Sequence, residues 1–420
     1  MNLAGWLAHL EHRNADTPIV LGLDRVEAVA RQLDLIAPNF PVLTVGGTNG
    51  KGSVCAYLEA MLAAAGMRVG CYTSPHLLRY NERVRVAGID ASDEALCAAF
   101  EQVEAVRGEV PLTYFEQGTL AAMQLFKNAK IDVAVMEVGL GGRLDAVNIW
   151  DSDCAIVTSV DLDHQSFLGD TREAIGFEKA GIFRPDCPAV CGDLNPPESL
   201  LNKATEQGTR LLRLGVDIAV QDEGSTWTVH VGDATFPALP RPIMAGAHQF
   251  NNAACAIAAL HSVRSTLPVS RQAIRAGLLA ARQPGRFQII GEHPLRILDV
   301  AHNPHAAHAL AKNLATLTSS RPADSVRVVL GMLADKDVEG VLEPLLPLVK
   351  HWHCAGLSGP RGLSGADLGG FLAQAGTSYS VHDDVASAWQ AACAEAGSAD
   401  TICVLGSFHT VADVMALLAG

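Results

Sequence analysis

The feature that most constrains the fold of this chain is a glycine-rich stretch between an apolar run and a helical pattern. It reads Val45-Gly-Gly-Thr-Asn-Gly-Lys-Gly-Ser53 and follows an apolar, β-branched run that begins at Val42. After Ser53, apolar side chains fall on one helical face as far as Ala65, and Gly66 predicts the helix end. Glycines permit a tight turn that aims successive N–H groups at one point, where the helix dipole favours a phosphate. The stretch therefore predicts a strand, a phosphate-binding loop and a helix.

The same loop supplies the side chains that a nucleotide site needs. Lys51 can reach the outer phosphates, and the Ser53 hydroxyl can bind a magnesium ion. The match to the general phosphate-loop pattern is imperfect, because Val45 occupies the place of the first glycine and Gly52 is inserted before Ser53. The alternative is a glycine-rich turn before an ordinary helix. We predict nucleotide binding, because the strand and the helix lie where such a site needs them.

Length, charge and cysteine usage exclude several classes of protein. A chain of 420 residues exceeds what one core usually supports, so we predict two domains. A net charge of −14 argues against nucleic-acid and anionic-membrane partners. The chain shows neither a signal-peptide pattern nor an apolar run long enough to cross a bilayer. Its ten scattered cysteines, without a Cys-x-x-Cys pair, indicate buried thiols in a reducing cytoplasm rather than disulfides or zinc ligands.

Polar side chains also follow other predicted strands. Ser74 and His76 come after one strand pattern, Glu137 ends the next, and His164 follows a third. Ligands of open α/β sheets bind at the carboxyl ends of strands. A carboxylate there, beside a phosphate loop, is a natural magnesium ligand, although Glu137 can also be read as a solvated strand-end charge. Taken alone, His164 would more often be a surface or core histidine, but its place at a strand end favours a ligand role.

Strand and helix patterns alternate along most of the chain, which predicts an α/β fold with a doubly wound, mostly parallel sheet. Residues 185–240 carry short alternating runs, which suggest hairpins appended to that sheet. We place the domain boundary at Gln283-Pro-Gly285, because both residue types break helices, giving domains 1–284 and 285–420. Alternation resumes after the boundary, so we predict a smaller, Rossmann-like α/β domain at the C-terminus.

The C-terminal domain offers two further candidates for ligand binding. Asp299 and His302 lie at a predicted strand end before the helix that starts at Pro304, which favours ligand contacts. His302, His305 and His308 also suggest a metal site. Their spacing by threes fans them across roughly 120° of a helix, so they do not converge, and we do not predict a metal there.

Seven stretches of the chain together resemble one family. They are residues 45–53, 73–77, 112–116, 137–146, 178–183, 299–304 and 406–409. The stretches are similar to those of the folylpolyglutamate synthases of the Mur ligase superfamily, and most of all to their bacterial bifunctional members. The likeness runs nearly end to end, and the glycine inserted before Ser53 is the form that this family uses.

The resemblance implies an ATP-dependent carboxylate–amine ligase. Such an enzyme adds L-glutamate to dihydropteroate, giving dihydrofolate, and to reduced folates, giving folylpolyglutamates. ATP would convert the substrate carboxylate to an acyl phosphate, which the amino group of glutamate attacks. The resemblance also implies two or more Mg²⁺ ions, small-molecule partners only, and a monomer. A Mur-type cell-wall ligase acting on a UDP-sugar, a phosphate-loop small-molecule kinase and a non-catalytic nucleotide-binding regulator remain alternatives.

The resemblance further assigns site residues by position. It implies ATP contacts from Asn49, Gly50, Lys51, Gly52, Ser53, Asn252, Arg286, Asp299 and His302. It implies metal ligation by Ser53, Ser74, Glu137 and His164, and catalytic roles for Lys51, Lys179 and His164. The pterin-carrying substrate would lie against Ile19, Val20, Leu21, Gly22, Thr113, Tyr114, Phe115, Glu116, Leu144, Asp145 and Ala146. Asn252 is chosen over the adjacent Asn251 because of the alanine spacing that follows it.

Lys179 is the residue for which the resemblance adds most. From the residues alone, it can be a solvated lysine in the last turn of a helix, where it would complement the helix dipole. The resemblance implies instead that Lys179 carries a carbamate, as the corresponding lysine does in members of this family.

Overall fold

The computed structural model describes residues 1–14, 21–318 and 325–419. The chain forms two compact units: Met1–Ile243 with Phe250–Arg282, and Met244–Gln249 with Gln283–Gly420. Each unit contains its own mostly parallel sheet, which confirms the predicted α/β fold with a second, smaller α/β domain. The assignment of ATP binding to one domain and glutamate ligation to the other stays a prediction.

The first unit is built on an eight-stranded sheet. Its strands are β1 (Val42–Gly46), β2 (Val69–Tyr72), β3 (Val84–Val86), β4 (Ile89–Asp90), β5 (Val133–Glu137), β6 (Cys154–Val157), β7 (Pro188–Cys191) and β8 (Arg210–Arg213). They lie in the order β4-β3-β2-β5-β1-β6-β7-β8, and only β3 and β4 run antiparallel to their neighbours. Every residue of β1, β2, β5, β6 and β7 is buried, as expected for a parallel sheet covered on both faces.

Helices connect these strands. They are α1 (Leu3–Asn14), α2 (Asp24–Gln32), α3 (Lys51–Ala64), α4 (Asp93–Arg107), α5 (Tyr114–Ala129), α6 (Gln165–Leu168), α7 (Arg172–Ala180), α8 (Glu198–Glu206), α9 (His248–Ser262) and α10 (Arg271–Ala280), with short 3₁₀ turns at Tyr80–Arg83 and Ala146–Ile149. Hydroxyl side chains at the caps accept an amide hydrogen bond at the start of α4, α5, α7 and α10. Helix α3 begins at Lys51, two residues before the start predicted from the sequence.

The prediction of hairpins over residues 185–240 was wrong in its first half. Strands β7 and β8, with α8 between them, continue the parallel sheet. These strands are only four residues long and lie among prolines and glycines, so the sequence offers little periodicity there. The hairpins occupy the second half as a separate antiparallel sheet of β9 (Ile218–Asp222), β10 (Thr226–Val231) and β11 (Ala234–Pro240).

The second unit has a six-stranded sheet. Its strands are β12 (Gln288–Glu292), β13 (Leu295–Leu298), β14 (Val326–Leu330), β15 (Val349–Ala355), β16 (Tyr379–His382) and β17 (Thr401–Leu405), in the order β12-β13-β17-β14-β15-β16. Only β12 pairs antiparallel. The helices are α11 (Pro304–Thr318), α12 (Val338–Leu342), α13 (Gly365–Gln374), α14 (Val385–Glu395) and α15 (Phe408–Ala419). The sequence did not predict the edge strands β12 and β16.

Strand order determines where a ligand site can form in the first unit. Strand β1 lies between β5 and β6, so the sheet grows from β1 in both directions. This is the arrangement in which open α/β sheets bind ligands beyond the carboxyl ends of the central strands. The glycine loop leaves β1 at this edge, and Glu137 ends β5 beside it. Within the described residues, no helix is long and apolar enough to span a bilayer.

Candidate active site

Two glycines of the loop adopt backbone angles that other residues rarely take. Gly47 has φ +136° and Gly50 has φ +91°. A Cβ added to Gly47 would lie 1.9 Å from Thr158 Oγ1, and one added to Gly50 would lie 2.7 Å from Asn252 Oδ1. Both positions therefore require glycine, because strain and close contact act together. The same contacts bring Asn252 to the loop, whereas the sequence could choose it over Asn251 only by spacing.

Hydroxyl groups beyond β6 hold the loop in place. Thr158 Oγ1 donates to the carbonyl oxygen of Asn49 at 2.7 Å, and the Asn49 amide donates to Ser159 Oγ at 3.1 Å. The Thr48 amide donates to the carbonyl oxygen of Ser159 at 2.8 Å. Sequence reasoning did not single out Thr158 and Ser159. The available signal was their position directly after a buried strand, one strand away from the loop.

Lys51 keeps its charge close to the loop backbone. Its Nζ donates to the carbonyl oxygens of Gly47 at 3.0 Å and Thr48 at 3.1 Å. Lys51 and Gly52 form the first turn of α3, and Ser53 follows them with 1% of its surface exposed. Positive charge and the positive end of the helix dipole thus coincide at the loop.

The structure brings together two of the predicted metal ligands. Glu137 is 3% exposed, and its Oε2 accepts the Ser74 amide at 3.0 Å. It pairs in register with Val45, the residue at the end of β1 that leads into the loop. The oxygens of Ser53, Ser74 and Glu137 are the hard donors that Mg²⁺ prefers, so this donor set fits the predicted ion. The reading of Glu137 as a solvated charge was wrong.

The two histidines predicted near these strand ends have different surroundings. His76 Nδ1 accepts a hydrogen bond from Arg83 Nε at 2.8 Å. His164 is exposed, has φ +52° and precedes the short helix α6, with its Nε2 3.9 Å from Asp163 Oδ1. The Asp163 side chain is 10% exposed.

Lys179 lies inside the first unit and is not a solvated lysine. Only 3% of its surface is exposed. Burial and the nearby charge of Lys51 lower the pKa of Lys179 to about 7, against the opposing effect of Asp163 and Asp145. About half of such amines are neutral at pH 7, where an exposed lysine is almost fully charged. The reading of Lys179 as a solvated helix-end residue was therefore wrong.

A glycine turn after β5 packs against the helix that carries Lys179. A Cβ added to Gly142 would lie 2.9 Å from the carbonyl oxygen of Glu178 and 3.0 Å from that of Lys179. The Arg143 amide donates to the Glu178 carbonyl at 2.8 Å. These glycines thus let the turn approach α7 closely, and the contact fixes the last turn of that helix.

Asp145 organises the same turn. It accepts amide hydrogen bonds from Gly139 at 3.0 Å, Leu140 at 2.9 Å and Val147 at 2.9 Å. Burial raises the pKa of Asp145 to about 6, although these hydrogen bonds and the charge of Lys51 oppose the shift. Asp145 was predicted to contact substrate, and its oxygens are already engaged with the backbone.

The residues predicted to bind the pterin-carrying substrate fall in three segments. Ile19 and Val20 lie outside the described residues, while Leu21 and Gly22 are half-buried before α2. Phe115, in the segment from Thr113, packs against Gly139, since a Cβ added there would lie 2.6 Å from its ring, and the Gly139 amide donates to Asp145 of the segment 144–146. Two of the three segments are thus neighbours.

Thr113 and Glu116 also have a structural role, which is to cap helix α5. They form a capping box at the start of α5, with Glu116 N 3.2 Å from Thr113 Oγ1 and Thr113 N 2.7 Å from Glu116 Oε2. Arg25 Nη2 donates to Glu116 Oε1 at 3.0 Å. Tyr114, between them, packs edge-on against the Tyr80 ring at 6.0 Å.

In the second unit, the predicted nucleotide contacts gather around Phe408. The Arg286 guanidinium lies 5.1 Å from the centre of the Phe408 ring, and the His302 ring lies 6.0 Å from it. Asp299 accepts amides from Phe287 and Ala301, both at 2.8 Å. Burial raises the pKa of Asp299, while Arg286 opposes the shift. Phe408 lies in a motif quoted from the sequence but received no role there.

Comparison with known proteins places both units in one family. Residues 45–260 match the profile described as "Mur ligase middle domain", and residues 285–408 match "Mur ligase, glutamate ligase domain". The chain is 48% identical over 416 residues to the dihydrofolate synthase/folylpolyglutamate synthase of Escherichia coli K12, covering 99% of this chain and 95% of that protein.

Solved structures agree with this placement. "E.coli FolC in complex with DHPP and ADP" has a TM-score of 0.94 at 47% identity and covers 100% of this chain and 98% of its own. The bifunctional folylpolyglutamate synthase/dihydrofolate synthase from Yersinia pestis, complexed with AMPPNP and Mn ion, has a TM-score of 0.93 at 49% identity, with coverage of 100% and 98%.

The phosphate loop and the two matched domains define an ATP-dependent ligase of the Mur ligase type. Within that class, the chain belongs to the dihydrofolate synthase/folylpolyglutamate synthase family. This confirms the resemblance inferred from the seven motifs.

Proposed function

We propose that this enzyme joins L-glutamate to dihydropteroate and to reduced folates at the expense of ATP. The observation that carries the proposal is the glycine loop, held against Thr158 and Asn252, beside the buried Glu137, which accepts the Ser74 amide. A phosphate loop next to a buried carboxylate is the equipment of phosphoryl transfer. The folate substrates follow from the family, whose E. coli member is a dihydrofolate synthase/folylpolyglutamate synthase.

The chemistry proceeds in two steps. A carboxylate resists an amine because its leaving group is poor, so the γ-phosphoryl group of ATP is first transferred to the substrate carboxylate. The amino group of glutamate then attacks the acyl phosphate, and phosphate leaves from a tetrahedral oxyanion. Lys51 and the first turn of α3 stabilise charge on the transferring phosphoryl group. No side chain of the enzyme forms a covalent bond to the substrate in this scheme.

The residues that the resemblance assigns to ATP lie in both units. Asn49, Gly50, Lys51, Gly52, Ser53 and Asn252 form the first set. In the second unit, Arg286, Asp299 and His302 form a compact group around Phe408. Asp299 is oriented by two amides, which suits a carboxylate that accepts hydrogen bonds from a nucleotide rather than one that transfers protons.

Ser53, Ser74, Glu137 and His164 are the residues that would hold Mg²⁺, in two or more sites. Bound Mg²⁺ would neutralise the phosphate oxygens and align them for in-line transfer. In this chain, the backbone contact between Ser74 and Glu137 fixes the direction of the carboxylate. His164 is exposed, so it would reach the ion from the protein surface, at the same edge of the sheet.

Substrate binding is assigned to the turn after β5 and the start of α5. Phe115 offers an aromatic surface beside Gly139, which suits a flat pterin or aminobenzoyl ring. Thr113, Tyr114, Glu116, Leu144, Asp145 and Ala146 are assigned to the same substrate site, as are Ile19, Val20, Leu21 and Gly22. Glu116 and Asp145 act mainly by shaping this region, because their oxygens already accept backbone hydrogen bonds.

Lys179 is proposed to carry a carbamate. Carbon dioxide reacts only with a neutral amine, and the pKa of Lys179 of about 7 leaves a large neutral fraction at physiological pH. The reaction forms an N–C bond and releases one proton, and it converts the neutral amine into an anion near Lys51. That anion can orient a magnesium ion beside the acyl phosphate. We also propose that the enzyme is a monomer in the cytoplasm, where its ten free cysteines remain reduced.

An assay of ATP turnover tests the proposed activity. We expect ATP consumption to require dihydropteroate or a reduced folate together with L-glutamate, and the product to gain one glutamate per ATP. Turnover with a UDP-sugar substrate instead would identify a cell-wall ligase. ATP consumption that is independent of glutamate would identify a kinase, and nucleotide binding without turnover would identify a regulator.

A further inference from the structure

A cluster of histidines lies on one face of the second unit's sheet. His351 and His353 are two residues apart on β15, so their side chains share a face. Ser380 on β16 pairs with His353 in register, and His382 lies two residues further along the same strand. Glu395, the last residue of α14, lies over this face, with its Oε2 4.0 Å from His353 Nε2. None of these residues takes part in the proposed ligase chemistry.

Serine hydroxyls organise the three imidazoles. Ser380 Oγ is 3.2 Å from His351 Nε2, 3.2 Å from His353 Nδ1 and 2.8 Å from His382 Nε2. A hydroxyl group has one hydrogen to donate and two lone pairs, so at least two of the rings must donate to it. Ser378 Oγ is 2.7 Å from His351 Nδ1. Outer hydrogen bonds of this kind fix the tautomer and orientation of metal-binding histidines.

His353 has a nitrogen that these contacts do not satisfy. Its side chain is completely buried, and Nε2 has no hydrogen-bond partner. The 4.0 Å separation from Glu395 Oε2 is too long for a hydrogen bond. The buried Nε2 of His353 thus lies 4.0 Å from a carboxylate oxygen without a hydrogen bond to it.

The geometry suits a cation at that point. Ligand atoms of His351, His353 and Glu395 all lie within 4.8 Å of one another. A tetrahedral ion with bonds of about 2.0–2.2 Å needs ligand atoms roughly 3.4 Å apart, so movements of about 1 Å complete the site. Glu395 can make them, because its side chain is 48% exposed, and Arg327 Nη1 orients it through a 2.8 Å hydrogen bond to Oε2. The exposed side of Glu395 also gives an entry route and room for water as a fourth ligand.

We propose that His351, His353 and Glu395 form a binding site for one divalent transition-metal ion of the zinc class. Two imidazoles and a carboxylate favour Zn²⁺, Co²⁺ or Ni²⁺ over Mg²⁺, which prefers oxygen ligands alone. The ion binds His353 through Nε2 and His351 through one nitrogen in place of a serine hydroxyl, while the other nitrogen keeps its serine. The site joins β15 to the end of α14. It is independent of the proposed ligase activity.

Cobalt binding to the full chain tests this proposal. The protein is first saturated with Mg²⁺ and a non-hydrolysable ATP analogue, so that the oxygen ligands of the first unit are occupied. We expect one Co²⁺ per chain, with the intense visible absorption of a tetrahedral site, displaced by one equivalent of Zn²⁺. Zn²⁺ should also raise the midpoint of thermal unfolding.

Three variants locate the ion. We expect Glu395→Gln and His353→Gln each to weaken Co²⁺ and Zn²⁺ binding by more than about tenfold, and His308→Asn to leave it unchanged. His308 is the matched control, because it is an exposed histidine of the same unit whose Nδ1 lies 2.9 Å from the Pro304 carbonyl oxygen. If His353→Gln does not fold, the metal affinity of Glu395→Gln decides whether the ion binds here. The Glu395 side chain is half exposed, so this variant should fold.

Two results would overturn the proposal. The first is a parent protein that binds no Co²⁺ with tetrahedral absorption under these conditions. The second is equal affinity in the parent and Glu395→Gln, or an equal loss in His308→Asn, since either would place the ion elsewhere.

Discussion

The two units of the enzyme differ in the titratable groups that are buried near their parallel sheets. In the first unit, burial brings the pKa of Lys179 to about 7 and that of Asp145 to about 6, so both groups can change charge near neutral pH. In the second unit, the pKa of Asp299 is also raised by burial, but Arg286 opposes the shift and two amides hold the carboxylate. This difference supports the proposal that residues of the first unit perform the chemistry, while the residues proposed in the second unit supply fixed contacts.

The glycines of the two units also differ in what they approach closely. In the first unit, Gly47 and Gly50 bring the loop against polar side chains of Thr158 and Asn252. In the second unit, a Cβ on Gly406 would lie 2.5 Å from the carbonyl oxygen of Gly331, so one strand end closes against the next. Close approach shapes the predicted phosphate loop in one sheet and brings together the ends of two central strands in the other.

The largest expected effect is that of Lys51→Ala. Loss of this charge should reduce kcat by at least about 10²–10³-fold, because one preorganised group that stabilises the transition state contributes about that much. Steady-state turnover with dihydropteroate, ATP and glutamate measures it. Lys127→Ala is the matched control, since Lys127 also donates to two backbone carbonyls, at 3.2 and 2.8 Å, on an exposed part of α5. Normal turnover in Lys51→Ala would contradict the assignment of residues 45–53 as a phosphate-binding loop.

The next effect concerns Lys179. Lys179→Arg should lose about 10² or more of the activity, because arginine keeps its charge and cannot form the carbamate. Lys179→Met, which keeps the volume without the charge, separates this loss from misfolding. Lys179→Ala should regain part of its activity when a small carboxylate is added. A fully active Lys179→Arg enzyme with an unmodified parent Lys179 would contradict the carbamate.

The pH dependence of carbamate formation gives a second test of the proposal for Lys179. The pKa of Lys179 is lowered, so its amine is neutral above about pH 7 and charged below it. Carbamate formation should therefore fade as the pH falls through 7, and extra bicarbonate should restore part of the activity there. The carbamate signal in ¹³C NMR with labelled bicarbonate reports it directly. A signal that is equally strong at pH 5.5 and pH 8 would refute this account.

A smaller effect is expected for Glu137→Gln. A neutral amide is a poorer ligand for a hard cation, so the Mg²⁺ concentration for half-maximal activity should rise about tenfold or more. Glu173→Gln is the control, because Glu173 accepts amide hydrogen bonds at the start of α8 and belongs to no predicted metal site. A Mg²⁺ dependence equal to the parent's would show that Glu137 is not a ligand.

The smallest effect should come from the second unit. Asp299→Asn removes a charge but can keep one amide hydrogen bond, so the KM for ATP should rise several-fold, by about 1 kcal/mol, with kcat little changed. Asp337→Asn, at the cap of α12 in the same unit, should leave both that KM and the stability nearly unchanged, because asparagine caps a helix about as well as aspartate. A large loss of kcat in Asp299→Asn would break the division between chemistry and fixed contacts.

The sequence was informative where local chemistry dictates structure. The loop from Val45 to Ser53 and the carboxylate of Glu137 were recognised because glycines, a buried strand and a strand-end charge leave a local pattern. The burial of Lys179 left no such pattern. Its environment depends on Gly142 and Asp145, which reach it from a different part of the chain.

Other features were missed for the same physical reason. Thr158 and Ser159 hold the loop through contacts that span more than a hundred residues of sequence. Strands β7, β8, β12 and β16 have only four or five residues each, which is too short for a clear period. The cluster of His351, His353 and Glu395 also depends on tertiary packing, since its carboxylate comes from the end of α14.

The most direct test of the account follows the oxygen of the substrate carboxylate. Dihydropteroate labelled with ¹⁸O in its carboxylate should transfer one labelled oxygen to inorganic phosphate for each glutamate joined, because an acyl phosphate is cleaved at its C–O bond. Mass spectrometry of the released phosphate measures this. Release of unlabelled phosphate at the same rate as product formation would contradict activation of the carboxylate by ATP.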